Sequence, residues 1–338
     1  MSLSPYERSF VLDGVDQGCR VDGRGRLDYR LMTLELGTTP QASGSSRLRL
    51  GNTDVMVAVK ADIGTPPGGD PTHGRLSCSV ELSASADPEY EGRGGDSLSN
   101  ELSKALERTL LGASAGGAAS LSHVAAGERG GGGTARHSQH GAGAALDMAA
   151  LGIQKGKVCW VLQCDCLVLS NEGGVLDALS IAVKAALADC KIPKVTSVAG
   201  PNPDDPQELE LDDDPEECSR LDVTGVPLIV TLYKIGTKNI IDASADEVAC
   251  SASGIAVAVD SKKKIRGLTQ VTAGGIYVSN KSNDASKGVS LGNLRAVLKT
   301  ATDVGTKLHK KVDAFLLSAA SGVVESDDEE EGDNDMEE

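Results

Sequence analysis

Residues Gly44 to Gly64, GSSRLRLGNTDVMVAVKADIG, constrain the fold more than any other stretch of this chain. Two runs of alternating residues flank a Gly-Asn-Thr-Asp turn. In the first, Leu48 and Leu50 alternate with Arg47 and Arg49. In the second, Val55, Val57 and Val59 alternate with Met56, Ala58 and Lys60. A period of two places one set of side chains on each face of a strand. Gly51 and Asn52 tolerate the positive φ of a tight hairpin turn. The stretch is therefore a β-hairpin with one apolar face, and the rest of the domain has to cover that face.

The chain's 338 residues suffice for two ordinary domains. An apolar share of 40% permits a real core, but one Trp, five Tyr and two Phe cannot fill it, so Val, Leu, Ile and Ala must. No run of about 18 apolar residues occurs, so neither a transmembrane helix nor a membrane partner is expected. The N-terminus, MSLSPYERSF, has no apolar signal region, which reads against secretion. The eight cysteines lie mostly inside apolar segments and read as reduced, buried thiols. Cys164 and Cys166, two apart on an expected strand, share a face. With no Cys-x-x-Cys pair, no structural zinc is expected.

The net charge of −16 misleads. Asp204–Glu217 holds nine acids and no base, and Glu325–Glu338 holds ten acids and no base. Outside these two stretches 30 acids stand against 33 bases, a body at about +3 by formal count. A slightly basic body with acidic appendages is compatible with RNA contact.

Read in order, Pro5 to Val15 has the spacing of a short helix capped by Ser4. Arg20-Val-Asp-Gly-Arg24 is a polar turn, and Leu27 to Leu36 alternates as a strand. After the hairpin, Thr65 to Gly74 is a loop, and Leu76, Cys78, Val80 and Leu82 mark another strand. Tyr90-Glu-Gly-Arg-Gly-Gly95 turns into a helix through Leu98, Leu102, Ala105, Leu106, Thr109 and Leu110. Lys104 and Arg108 lie one turn apart on its polar face. From about 112 to 143 the sequence collapses into Gly, Ala, Ser and His and reads as a flexible insertion. Val158 to Leu169 is a strongly apolar strand, ended by Gly173-Gly174, and Val175 to Asp189 is an Ala-rich helix. Pro201 to Glu217 reads as a linker. Leu228–Lys234, Lys238–Asp242, Gly254–Val259 and Gly275–Ser279 are expected strands. Lys262, Lys263 and Lys264 fall in a turn, and Ser290–Leu317 is a long helix. Strands first and helices after, twice over, make the fold class α+β with a duplicated mixed architecture. The expected divisions are an N-terminal helical segment over 1–20, a first domain over 21–200, an acidic linker over 201–219, a second domain over 220–318 and a disordered acidic tail over 319–338.

Several of these segments resemble the RNase PH family. Arg20-Val-Asp-Gly-Arg24, Gly44-Ser-Ser, Leu50-Gly-Asn-Thr-Asp54 and Glu91-Gly-Arg-Gly-Gly95-Asp are similar to that family's first domain. The stretches from Val175 to Leu187 and from Ile241 to Cys250 resemble its non-catalytic members in the ring of the eukaryotic RNA exosome. The resemblance covers roughly residues 5 to 110 and 155 to 310. It implies the RNase PH-like fold, with the β-α-β arrangement of ribosomal protein S5 domain 2, in both halves. It also implies a hetero-oligomeric ring as setting, with related ring subunits, RNA-binding cap subunits, an associated nuclease and RNA as partners. Ribosomal RNA maturation and RNA decay in nucleus, nucleolus and cytoplasm would be the context, with no cofactor.

Active members of the family hold phosphate with Gly-Thr-Arg at a helix N-terminus, where backbone N–H groups and a guanidinium receive the anion. The matching residues here are Gly174, Val175 and Leu176, followed by Asp177, which would repel phosphate. Active members also carry aspartates six and twelve residues after an Asp-Leu strand end, for proton transfer and a divalent metal. Counted from Asp242 those positions are Val248 and Gly254, with Asp246 and Glu247 out of register. The resemblance therefore implies no catalytic residue and no metal. It also aligns Lys104 and Arg108 with residues that face substrate phosphates, against the plain reading of a solvated helix face.

Other candidates are weaker. His137 and His140 have metal-ligand spacing but sit in the Gly-rich stretch without a carboxylate or thiol nearby. Gly130–Gly133 lacks the Gly-Lys-Ser/Thr of a phosphate loop. Lys262–Lys264 reads as a solvated turn, His309 as a surface residue and Trp160 as core. Two readings follow from different classes: a structural, RNA-guiding ring subunit, or an active phosphate-dependent 3′ exoribonuclease. A variant of the second is a shared site to which this chain lends only basic residues.

Overall fold

The computed structural model of the chain describes residues 3–67, 71–111, 145–198, 208–211, 218–271 and 291–320. The Gly-rich stretch with His137 and His140, the expected strand at Gly275–Ser279 and the tail beyond Ala320 lie outside the described residues.

Helix α1 (Pro5–Gln17) starts as its sequence dictates. The Ser4 hydroxyl accepts from the Glu7 N–H while the Glu7 carboxylate accepts from the Ser4 N–H, a reciprocal capping box. Then come β1 (Met32–Leu36), β2 (Gly44–Leu50), β3 (Thr53–Gly64) and β4 (Arg75–Leu82). The β2–β3 hairpin has the expected register, with Leu48 opposite Val55 and Leu50 opposite Thr53, and Gly51 at φ 59° makes its turn. The strand expected over Leu27–Leu36 is shorter, because residues 24–30 are held in an irregular segment by side-chain bonds described below.

Helix α2 (Asp96–Leu111), β5 (Gly152–Gln154), β6 (Val158–Ser170) and α3 (Val175–Asp189) complete the first half. The first sheet runs β1-β2-β3-β6-β4, with β5 on β6, and only the β4–β6 pairing is parallel. Its buried face carries Leu48, Leu50, Val55, Val57, Val59, Cys164, Cys166 and Val168.

Strands β7 (Lys191–Pro193), β8 (Val195–Val198), β9 (Glu208–Leu211) and β10 (Cys218–Arg220) form two small ribbons, β7 with β10 and β8 with β9. The acidic stretch expected to be only a linker thus contains a strand. Glu208–Leu211 alternates Glu with Leu, which suits a two-faced ribbon. The second sheet, β12-β11-β13-β14, is antiparallel throughout and consists of β11 (Leu228–Ile235), β12 (Lys238–Ile241), β13 (Ser253–Val259) and β14 (Ile265–Val271). Short helix α4 (Ala245–Cys250) lies between β12 and β13, and α5 (Leu291–Ala320) closes the described chain, three residues past its expected end. Strand β14 carries no clear period of two in the sequence, because Gly267 and Thr269 break its apolar alternation.

The second half has a core of its own, where Val230, Ile241, Val257 and Val259 of its sheet meet Val297, Ala301 and Val304 of α5, but the main core spans both halves. One apolar cluster joins Leu48, Val57 and Cys166 of the first half to Leu228, Tyr233 and Ile235 of the second. Helix α3 is the shared element, buried along nearly its whole length between β2, β3 and β11. A helix with apolar residues on every side belongs inside a protein, and its polar residues Asp177, Ser180 and Lys184 are buried with it. Its alanines allow close approach: a Cβ on Gly44 would stand 2.5 Å from the Ala186 carbonyl and the Cys190 backbone. The Ser46 hydroxyl then donates to the Ala182 carbonyl at 2.7 Å. The Gly-Ser-Ser motif is thus a packing device between hairpin and helix.

Candidate functional site

The start of α3 meets the turn after β12, and three arginines from the segment before β1 converge there. Asp242 is 1% exposed and sits at φ 44°, a conformation Asp tolerates better than most residues. Its carboxylate accepts from the Arg30 backbone N–H at 2.7 Å, from Arg30 Nη2 at 2.7 Å and from Arg24 Nη1 at 2.9 Å. Its backbone carbonyl accepts from Arg20 Nη2 at 2.8 Å. Arg20 also forms a two-pronged pair with Glu247, at 2.8 and 2.6 Å. The Arg20–Arg24 motif is therefore a clasp that holds the β12–α4 turn. Glu247 is occupied by Arg20 and by the Ser244 cap of α4.

Arg30 reaches further, to the loop that leads into α3. Its Nη1 donates to the Glu172 carbonyl at 2.9 Å and its Nη2 to the Gly173 carbonyl at 2.8 Å. Gly173 and Gly174 both have positive φ, and a Cβ on Gly174 would lie 3.0 Å from Arg30 Nη2 and from Asp242 Oδ1. A guanidinium does stand at this helix start, as a phosphate site would need, but its charge is spent on Asp242 and two carbonyls.

The next residues are turned away from any ligand. Val175 is half-buried. Leu176 is 7% exposed and lines a small cleft with Ala105 and Thr109 of α2 and Ile229 of β11. Asp177 was expected to repel an anion at the helix start. Instead it is fully buried and faces the second sheet, where it accepts from the Thr231 N–H at 2.9 Å and the Thr231 hydroxyl at 2.5 Å. Burial pushes its carboxyl up to about 7, against the pull of the Thr231 bonds. Val248 is half-buried against the core. Gly254 is buried, and a Cβ there would stand 2.8 Å from the Tyr233 ring. The four positions that the resemblance matches to phosphate binding and proton transfer are apolar or glycine, packed into the interior or partly so.

Lys104 and Arg108 are both exposed on α2. The other face of α2 covers strand β4: Ser103 Oγ accepts from the Val80 N–H at 2.9 Å, and Glu107 from the Cys78 N–H at 3.2 Å. A covered edge fixes the helix in place. The neighbours of the two basic residues, Ala105 and Thr109, face Leu176 across the cleft, so the pair stands beside the seam between the halves. Lys262, Lys263 and Lys264 are exposed in the β13–β14 turn, with Lys263 at φ 62°. Trp160 is buried.

His309 is not a surface residue. It is 1% exposed, its Nε2 lies 2.8 Å from the Val259 carbonyl, and its Nδ1 lies 3.1 Å from Lys184 Nζ. The neutral ring with its proton on Nε2 satisfies both contacts. Lys184 is fully buried and donates to Asp313 at 2.6 Å. Burial, followed by the Lys184 ammonium, holds the imidazole below its ordinary range despite the Val259 bond. A lysine in a helix dominated by Ala, Leu, Ile and Val is the sequence signal for a buried partner.

Among the described residues no helix is long and apolar enough to cross a membrane. Residues 28–193 match the family model for domain 1 of the 3′ exoribonuclease family, and residues 225–281 match that for domain 2. The putative exosome complex exonuclease RRP42 of Dictyostelium discoideum is 32% identical over 333 residues, spanning 93% of this chain and 98% of that protein. The exosome complex component Rrp42 of Pyrococcus abyssi is 29% identical over 270 residues, spanning 80% and 84%. Among solved structures, the Archaeoglobus fulgidus exosome with RNA bound to the active site contains a chain similar at TM-score 0.64 and 22% identity, covering 90% of this chain and 97% of that one.

Proposed function

The chain belongs to the RNase PH family of 3′ exoribonucleases, and we propose that it serves in the exosome core ring as a structural, RNA-guiding subunit without catalytic residues of its own. The observation that carries the non-catalytic reading is the packing at the start of α3. The guanidinium there is bound to Asp242, Leu176 is buried, and Gly254 has no room for a side chain. An anion has no unspent cation at that helix start, and no carboxylate stands at positions 248 or 254 to move a proton.

In this reading the chain packs between related but different RNase PH-like chains and supports 3′ to 5′ processing and decay of RNA, ribosomal RNA included, in nucleus, nucleolus and cytoplasm. Lys104 and Arg108 line part of the RNA path. Cap subunits and a separate nuclease complete the assembly. The similarity to a putative exosome complex exonuclease RRP42 and to an exosome complex component Rrp42 supports the exosome setting.

The test is a native pull-down of the tagged chain, with stoichiometric partners identified by mass spectrometry. Several different RNase PH-like chains with cap proteins are expected. Recovery as a homo-oligomer that degrades RNA in phosphate would replace this reading with the phosphorolytic enzyme.

A further inference from the structure

Helix α5 turns Val297, Ala301, Val304, Leu308 and Val312 to the core. Its opposite face carries Arg295, Lys299, Lys307 and Lys310, with Lys311 beside them, all exposed. The row spans about 24 Å at 1.5 Å per residue, and Asp303 and the partly exposed Asp313 are the acids on that side of the helix. None of the five basic residues forms an ion pair within 4.0 Å among the described residues. Asp313, the helix's other acid, is bound to Lys184. A helix face with four to five unneutralised cations is an anion-binding surface in search of an occupant.

We infer that the occupant is the chain's own acidic segment Glu325–Glu338. Its ten acids come without a base, which complements the stripe. The segment also begins five residues after α5 ends at Ala320. Lys310 and Lys311 stand about 14 Å back from that end, and five extended residues reach about 17 Å. So short a tether holds the acids at an effective concentration of order millimolar, which favours them over dilute RNA or a foreign acidic peptide.

Zero-length carbodiimide cross-linking of the full-length chain, read by mass spectrometry, tests this. Cross-links from Glu325–Glu338 to Lys299, Lys307, Lys310 and Lys311 are expected at low ionic strength. They should disappear at about 1 M salt, where the screening length falls to about 3 Å. In K307E/K310E/K311E, with unchanged circular dichroism, the remaining link to Lys299 should fall severalfold. The neutral K307Q/K310Q/K311Q should lose less, and K155E/K157E, on an exposed turn elsewhere, nothing. Undiminished linking to Lys299 in the charge-reversed chain would overturn the inference. So would links from α5 to Asp204–Glu217 instead, or no tail links while a single-stranded RNA photo-cross-links to α5.

Discussion

Arg30 and Asp242, 212 residues apart, are bound by both the backbone N–H and the guanidinium of the arginine. The pair joins the segment before β1 to the turn after β12, and Arg30 continues to the carbonyls before α3. Removing one partner leaves a buried charge without compensation, which costs about 3–5 kcal/mol. Asp242→Ala should lower the unfolding free energy by that order in urea titration. Asp242→Gly relieves the positive φ yet loses the carboxylate, so it should regain only about 1 kcal/mol over Ala and stay well below the wild type. A stable Gly variant would show that backbone strain, and not the ion cluster, sets the cost.

Asp177 makes stability pH-dependent with a definite sign. Its folded pKa of about 7 lies above the ordinary 3.8. The stability it contributes is therefore fully present below about pH 4 and is lost as pH rises through 7. Asp177→Asn can keep one bond from the Thr231 N–H and donate to the Thr231 hydroxyl. The variant should gain on the wild type by about 1 kcal/mol per pH unit between roughly pH 4 and 7. A pH-independent difference would mean the carboxyl is ionised throughout.

His309 acts in the opposite direction. Its folded pKa lies below the ordinary 6.5, so its contribution is present above about 6.5 and is lost as pH falls. Protonation turns the Nδ1 acceptor into a donor facing the Lys184 ammonium. His309→Gln should be less stable than the wild type at pH 7, by about 1–3 kcal/mol for the lost buried bond, and the gap should narrow toward pH 5. Chemical unfolding at both pH values measures it.

Lys104→Glu with Arg108→Glu tests the proposed RNA path. Both side chains are exposed, so the fold should hold. RNA affinity of the assembled ring should drop, and more at low salt, because phosphate contacts release counterions. Unchanged affinity at low salt would return both residues to the solvated face of α2.

Much of this architecture was legible in the sequence wherever periodicity and burial coincide. The hairpin, α2, β6 and α3 each have one spacing and one environment. What was not legible depends on partners far apart in the chain. Arg20 and Arg24 look like a polar turn until Glu247 and Asp242 are placed beside them. His309 looks like a surface residue because its neighbours Lys310 and Lys311 are exposed, although it follows the buried Leu308 on the inward side of α5. Asp177 was read by its sequence distance from Gly174, whereas its rotation about the helix axis turns it toward Thr231. The shared core escaped because each half alternates convincingly by itself, and only the placement of α3 against both sheets reveals that neither is closed without it.

Rebuilding the family's phosphate site is the strictest test of the non-catalytic reading. Sequence matching suggests Val175→Thr, Leu176→Arg, Val248→Asp and Gly254→Asp. The packing predicts failure at two of them. Leu176→Arg drives a guanidinium into the cleft formed by Ala105, Thr109 and Ile229, at a cost of about 3 kcal/mol or more. Gly254→Asp places its Cβ 2.8 Å from the Tyr233 ring and 3.0 Å from the Val271 carbonyl, so strand β13 must shift. Thermal unfolding should show each of these variants markedly less stable than the wild type. Val175→Thr and Val248→Asp, at half-buried positions, should cost less. Inorganic phosphate should protect neither the wild-type chain nor the quadruple variant. Protection of the unmodified chain would mean that the anion site survives in another form, and that Arg30 leaves Asp242 to serve it.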